Sequence, residues 1–510
     1  MGSFTDADIA QLEARGIAVA EARRQLDRLA SPPPVTRVVR PCVVGDGIEV
    51  VSPAEEERLL ARADALQAAG RVSKFVPASG AATRMFKSLL AVQHRSELET
   101  AADLEAHDGD PAVAETIRFF REIDSLPFRR GLASRLVENG HTLGKWPDVP
   151  LRAALDELLS ASGLGYAELP KGLIPFHRYD ESRTPIEEHL VEATMYTKDD
   201  SGNCRICFSV APAHADRFRR FLGGAGPRWE ERTRSTFDIM LTAQNPSTDT
   251  LALDEAGEAV REKDGSLHLR PGGHGALLAN LSEMQGDVVV LKNIDNVVTD
   301  TQKELLVRWK RLLVGKLAEV ESAVHSWCRR LDEAYSPLLA REAIGYLRST
   351  FSRVIPDDEE LARPDALQKL LRRPIRVCGM VRNTGEPGGG PFWVVDASAE
   401  SAQIVEASQI DLTDPEQANV VGAATHFNPV DIVASLRDFR GRPFALPDFV
   451  DRDAVFVSEK SVDGRPIRAL EHPGLWNGAM AGWHTLFVEV PAETFAPVKS
   501  ILDLLRPEHQ

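Results

Sequence analysis

Apolar residues recur at helical spacing between residues 5 and 30 (Ile9, Leu12, Ile17, Ala20, Leu26, Leu29), and Ser31-Pro32-Pro33-Pro34 then stops the pattern. Residues 38 to 51 are strand-like around a Gly45-Asp46-Gly47 turn. Ser52-Pro53-Ala54-Glu55 has the spacing of a capping box and predicts a helix to residue 69. Lys74-Phe75-Val76-Pro77 reads as a buried strand. It is followed by a turn of small residues, Ala78 to Ala82, and by a helix start carrying Arg84 and Lys87. The pattern from 88 to 162 is mostly helical, with polar and Gly/Pro interruptions at 107–111 and 140–150, and predicts an insertion that builds a lid or a packing layer. Arg183-Thr184-Pro185 opens another helix, with Pro near its first position and acids Glu187 and Glu188 in the first turn. Strands are expected at 204–210, 237–242 and 287–292, the last a continuous apolar run of the kind buried on both faces. Residues 301 to 350 are helical. After Pro356 the chain returns to strands at 375–381, 392–395 and 403–410, with 385–391 a flexible, hairpin-like connection.

Composition narrows the class. The chain has 510 residues, too many for one ordinary core, and its 43% hydrophobic and 27% charged content is that of a globular protein. With 76 acidic against 60 basic residues the formal net charge is −16, which opposes binding to nucleic acid or to an anionic membrane. No nucleic-acid or membrane partner is expected, and any phosphate site must be a local basic pocket. The first twenty residues carry Asp6, Asp8 and Glu13 and no continuous apolar run, so no signal peptide is read there, and no stretch approaches membrane-spanning length. Five irregularly spaced cysteines fit a reducing compartment, and a cytoplasmic location is expected. Cys204 and Cys207 form a C-x-x-C, but on a strand residues three apart face opposite sides, which disfavours zinc or redox use.

Four places carry candidate chemistry. In the turn at 78–84, small side chains would let backbone N–H groups approach a polyphosphate, with Arg84 and Lys87 neutralising charge; the same strand, turn and helix also serves close packing alone. Lys171 stands between Pro170 and Gly172 in a fixed local backbone, as a site lysine or as an exposed turn residue. The strand at 237–242 ends in Ala243-Gln244-Asn245-Pro246, where open α/β sheets contact ligands. The strand at 287–292 ends in Asn293-Ile294-Asp295-Asn296. Carboxylates and amides at a buried strand end are costly unless satisfied, which a divalent cation with phosphate, or a solvated turn, would do.

In order along the chain, these stretches resemble the motifs of UDP-N-acetylglucosamine pyrophosphorylases and their UDP-sugar relatives. Gly80-Ala81-Ala82-Thr83-Arg84-Met85 resembles G-x-G-T-R-M with Ala82 at the second glycine, and Leu169-Pro170-Lys171-Gly172 resembles P-K-G. Gln244 with Pro246 is similar to a shortened Q-x-x-x-P, Pro271-Gly272-Gly273-His274-Gly275 to P-D-G-N-G, and Ile294-Asp295-Asn296 to V-D-N. The stretch from Ile404 through Glu406 to Ile410 is similar to V-V-E-Y-S-E-I, and Phe495-Ala496-Pro497-Val498-Lys499 to F-x-P-[LV]-K. The chain also resembles the uncharacterised bacterial family DUF4301 in VPASGAATRMFK, PKGLIPFH and KNIDNV.

The resemblance implies a GT-A-like α/β fold, a mixed and mostly parallel sheet between helices, with helical N-terminal and inserted elements. It divides the chain into accessory elements (1–70), a nucleotide-binding core (71–300), a helical segment (301–370) and completing strands with Lys499 (371–510). It implies a nucleotidyltransferase using Mg²⁺, with a nucleoside triphosphate, UTP favoured, and a sugar phosphate as substrates. Ser79, Gly80, Ala81, Ala82, Thr83, Gln244 and Gly273 would bind the nucleotide, and Arg84, Lys171 and Lys499 would be catalytic. His274 and Glu406 would meet the acceptor, and Asp295 the metal. His274 stands where the pyrophosphorylases have a sugar-contacting Asn, and 425–428 only loosely matches their N-H-F, so N-acetylglucosamine 1-phosphate is not implied as acceptor. A non-catalytic nucleotide-sugar sensor is the alternative.

Overall fold

The computed structural model describes residues 4–32, 35–284, 286–351, 353–355, 363–385, 388–395, 400–462 and 464–510. Parts of the two expected breaks, at Pro33-Pro34 and Pro356, and of the expected 385–391 connection lie outside the described residues. The chain forms two compact units, and each is built from several stretches of sequence. One holds Met1–Phe75, Thr242–Leu291 and Lys310–Ala492; the other holds Val76–Leu241, Lys292–Trp309 and Glu493–Gln510.

The first unit contains a mixed sheet with strands in the order Val43–Val44, Gly47–Glu49, His484–Glu489, Ile375–Arg382, Ile432–Ser435, Val288–Leu291 and residues 72–75 of the strand Val72–Pro77. Neighbours are parallel, except that Ile432–Ser435 runs antiparallel to both of its partners. Val288–Leu291 and Ile432–Ser435 are buried at every residue, as their unbroken apolar character requires. The α/β class and mostly parallel sheet expected from the sequence are therefore present. A second antiparallel sheet holds Val38–Pro41, Gly390–Val395, Glu400–Val405 and Arg353–Val354.

The second unit places Asn203–Val210 beside residues 236–241 of the strand Thr236–Ala243. The helices Pro185–Tyr196 and Ala215–Thr233 belong to the same core, which joins Val76, Ala78, Leu190, Phe208, Trp229 and Ile294. The inserted region folds as five helices: Lys87–Gln93, Ala101–Glu105, Pro111–Arg121, Arg129–Glu138 and Leu151–Leu159. Their core takes in Ala82, Met85 and Phe86, and also Val297, Val498, Ile501 and Leu504 from far along the chain. The insertion is thus a packing layer, and residues 78–86 are clamped between two apolar cores.

Local differences from the expected pattern have local causes. The helical spacing of 5–30 spans two helices, Asp6–Arg15 and Val19–Ala30, because Gly16 takes φ 73° and returns its N–H to the carbonyls of Leu12 and Glu13. The 301–350 segment is likewise two helices, Asp300–Glu333 and Pro337–Thr350, separated where Ser336 caps and Pro337 starts the second. The strand expected through 410 ends at Val405, because Gln409 turns back to accept the Glu406 N–H and closes a 3₁₀ turn. Among the described residues no helix is long and apolar enough to cross a membrane.

Candidate active site

The small-residue turn is exposed on one side and fixed on the other. Ser79, Gly80, Ala81, Thr83 and Arg84 are exposed, while Ala78 and Ala82 are buried. Ala78 N–H donates to the Ser209 carbonyl (2.7 Å) and Ala82 N–H to that of Leu169 (3.2 Å). The N–H groups of Ser79, Gly80 and Ala81 have no acceptor among the described residues, and all three residues are exposed. Arg84 ends a 3₁₀ turn, Ala82–Arg84, and the α-helix begins only at Lys87, later than the sequence suggests. That helix has seven residues, so it brings little helix dipole to the turn. Among the described residues neither Arg84 nor Lys87 forms an ion pair.

Lys171 is tied directly to this turn. Its N–H donates to the Gly80 carbonyl (3.0 Å), Ala81 bridges Pro170, and the Thr83 hydroxyl donates to the Ala167 carbonyl (3.3 Å). The side chain is 11% exposed. Its ammonium donates to Asp295 Oδ2 (2.8 Å) and to the Val498 carbonyl (2.8 Å), which leaves one of its three N–H groups. Val498 N–H donates to the Asp295 carbonyl (3.1 Å), Asn296 bridges Pro497, and Asn296 Oδ1 accepts the Ala496 N–H (3.0 Å). Ile501 N–H reaches the Met85 carbonyl (3.1 Å). Residues near positions 80, 171, 295 and 498 therefore share one hydrogen-bonded framework inside the second unit.

The strand end that presents Asp295 is held from beneath. Lys292 Nζ, wholly buried, donates to Glu192 Oε2 (2.7 Å), and Tyr196 donates its hydroxyl to Glu192 Oε1 (2.8 Å). His189 Nε2 lies 3.2 Å from the Ile294 carbonyl. Such pairs stabilise only when complete, and here each charge has a partner. Lys499 is exposed, its ammonium 6.0 Å from the centre of the Phe495 ring. Among the described residues no three His, Cys, Asp or Glu side chains are grouped to hold a metal ion. The five cysteines are buried and form no disulfide among the described residues.

Gln244, Gly273, His274 and Glu406 belong to the first unit. Pairing of Asp249–Thr250 with Arg270–Pro271 brings the 244–248 turn to the glycine loop, and Gln244 Nε2 donates to the Thr248 hydroxyl (3.3 Å). Gly273 has φ 77°, and a Cβ there would fall 2.7 Å from Glu471 Oε2. His274 accepts the Leu475 N–H at Nδ1 (3.1 Å), stacks on Trp476 with ring centres 4.3 Å apart, and sets Nε2 3.6 Å from Glu406 Oε1. Burial pushes its imidazole below the ordinary pKa, against the opposite pull of Glu406 and Glu471. The structure thus joins His274 to Glu406 and adds three residues that sequence reasoning passed over: Glu471, Trp476 and Asn477. Asn477 donates to Gln409 Oε1 (3.1 Å). The only sequence signal for this group was the Asn477-Gly478 turn pair beside a tryptophan.

Comparison with known proteins gives a family and distant structural likenesses. The model of a family described as "Domain of unknown function (DUF4301)" matches residues 5–510. No curated protein matches the chain in sequence. Among solved structures, the chain is similar to a mutant UDP-glucose pyrophosphorylase from Leishmania major in complex with UDP-Glc, at 13% identity and TM-score 0.46, covering 99% of this chain and 79% of that one. It is also similar to the uridine diphosphate N-acetylglucosamine pyrophosphorylase from Trypanosoma brucei in complex with inhibitor, at 12% identity and TM-score 0.48, covering 98% and 79%. A third is the UDP-glucose phosphorylase from Trypanosoma brucei, at 12% identity and TM-score 0.46, covering 98% and 77%.

Proposed function

We propose that this chain, which belongs to the DUF4301 family, is a nucleotidyltransferase. In the reaction a phosphate oxygen of a sugar phosphate attacks the α-phosphorus of a nucleoside triphosphate, with UTP favoured. The bond from that phosphorus to the β-phosphate oxygen breaks, and pyrophosphate leaves with the electron pair. One observation carries the reading: the exposed turn at 79–83, Lys171, Asp295 and the Lys499 segment are bonded into a single framework, the turn through the Gly80 carbonyl. Little covalent help is needed from the protein, because charge neutralisation and in-line placement do the catalytic work.

In this reading Ser79 to Thr83 cradle the nucleotide, and Arg84 meets the leaving pyrophosphate. Lys171 points its remaining N–H at the α-phosphate or the acceptor phosphate, and Lys499 closes over the acceptor phosphate. Gln244 and Gly273 serve the base, and His274 and Glu406 the acceptor. Asp295 is the residue that would hold Mg²⁺. A single carboxylate fits that ion, which takes its other ligands from phosphate and water and needs no cage of protein groups. The metal would supply positive charge against the developing phosphate charge.

A pyrophosphate-release assay across nucleoside triphosphates and sugar phosphates tests the reading, with mass spectrometry of the products. Release is expected, and nucleotide binding without release from any acceptor would favour a sensor. Asp295→Asn tests the metal assignment by calorimetric titration of UTP with Mg²⁺ and with EDTA. The variant should lose the Mg²⁺ dependence of binding; a retained dependence would remove Asp295 from that role.

A further inference from the structure

The segment that carries Lys499 continues into a buried pair of imidazoles. His509 is 1% exposed, and its ring stacks on that of His177 with centres 5.2 Å apart and planes 25° from parallel. His509 Nδ1 lies 2.9 Å from His177 Nε2, and His177 Nδ1 lies 2.8 Å from Glu188 Oε1. Glu188 also accepts from Lys303, whose ammonium donates to the Val298 carbonyl (2.9 Å) and to Asp300 Oδ1 (3.0 Å). Arg183 reaches the same two carboxylates, at 2.8 Å from Asp300 and 3.6 Å from Glu188. Alongside, the Glu508 carbonyl accepts the Thr299 N–H (3.2 Å).

The proton positions follow from the acceptors. Glu188 takes the hydrogen of His177 Nδ1, and one hydrogen lies between His177 Nε2 and His509 Nδ1. The other ring nitrogen of His509, Nε2, is buried without a partner among the described residues. An apolar ring would fill the same space without stranding a polar atom. The polar choice makes one directional bond between the Lys499 segment and the network that also grips residues 298–300, directly after Asp295.

We infer that His509 is a positioning residue: its hydrogen bond to His177 latches the segment 495–509 against the 294–299 strand end, fixing where Lys499 stands for the acceptor phosphate. The functional half of this inference rests on the nucleotidyltransferase reading; the latch itself is a property of the ligand-free protein and is measured there.

The test is His509→Phe, which keeps a ring and removes the bond, compared with wild type by amide hydrogen exchange. The amides of Ala496, Val498 and Ile501, bonded to Asn296, Asp295 and Met85, should exchange at least tenfold faster in the variant, while those of the Asn203–Val210 strand stay unchanged. Turnover should fall tenfold or more and the KM for the sugar phosphate should rise, with UTP affinity by calorimetry within twofold of wild type. Unchanged exchange at those three amides in a folded variant overturns the latch. Should His509→Phe not fold, His177→Phe breaks the same bond from the other side, and the same two outcomes decide. Faster exchange in a protein whose wild type releases no pyrophosphate would keep the latch and reject the nucleotidyltransferase reading.

Discussion

Lys171 and Asp295 neutralise each other at 2.8 Å in a site with little solvent, so neither can be removed silently. Lys171→Ala should lower turnover by on the order of a hundredfold, since a cation aimed at developing phosphate charge contributes several kcal/mol to the transition state. It should also cost about 1–3 kcal/mol of stability by unpairing a carboxylate and the Val498 carbonyl. Pyrophosphate release and urea unfolding of the same preparation separate the two effects. Two glycines make a sharper contrast. A Cβ on Gly80 meets nothing within 4 Å, whereas one on Gly273 meets Glu471 and would need φ 77°. Gly80→Ala should therefore leave the melting temperature unchanged and weaken UTP binding, while Gly273→Ala should destabilise the fold; calorimetry and thermal melts read both. Acid should act on His509, whose pKa is pushed down to about 3 by burial, then by His177 and Arg506. Glu188, Lys303 and Tyr179 are the other titratable groups packed around its partner His177. The unfolded chain binds this proton near pH 6.5 and the folded chain does not. The contribution of neutral His509 is full above about pH 6.5 and is lost as pH falls toward 3. The melting-temperature gap between wild type and His509→Phe should therefore narrow between pH 7 and pH 4.5.

Elements whose instructions are local were legible in the sequence. Ser52 with Glu55 and Thr184 with Glu187 announced two helix starts, and both form capping boxes in the structure. The buried strand Val288–Leu291 was visible as an unbroken apolar run. Gly16 was overlooked because helical spacing continues across it, and the register past Val405 because a glutamine side chain, not a pattern, ends that strand. The framework of the site was legible as motifs but not as contacts. Lys171 meets Asp295 across 124 positions, and His177 meets His509 across 332, distances at which no periodicity speaks. The inserted helices carry a consequence of their own. Phe128 is fully buried, 6.3 Å from the ring of Phe86, and Phe86 follows the cationic turn by two residues. Phe128→Ala should cost about 3–5 kcal/mol and weaken UTP binding further than Gly80→Ala, because it loosens the turn's support; denaturant unfolding and calorimetry measure the pair.

At the scale of the molecule, each unit is assembled from three stretches that leave and return. The core around Phe86 and Phe120 is completed by Val297, Val498, Ile501 and Leu504. A fragment spanning 76–241 should consequently fail to unfold cooperatively by calorimetry, although it contains the turn, Lys171 and all five inserted helices. The net charge of −16 is a property of the whole chain, while Arg84, Lys87 and Lys499 are local exceptions to it. The threading also bears on inheritance. A single genetic crossover anywhere between codons 85 and 498 separates Arg84 from Lys499, and one between 172 and 294 divides Lys171 from Asp295. Recombination between distant relatives would deliver mismatched halves of the same framework. Change in such a lineage therefore has to come by substitution in place and not by exchange of modules.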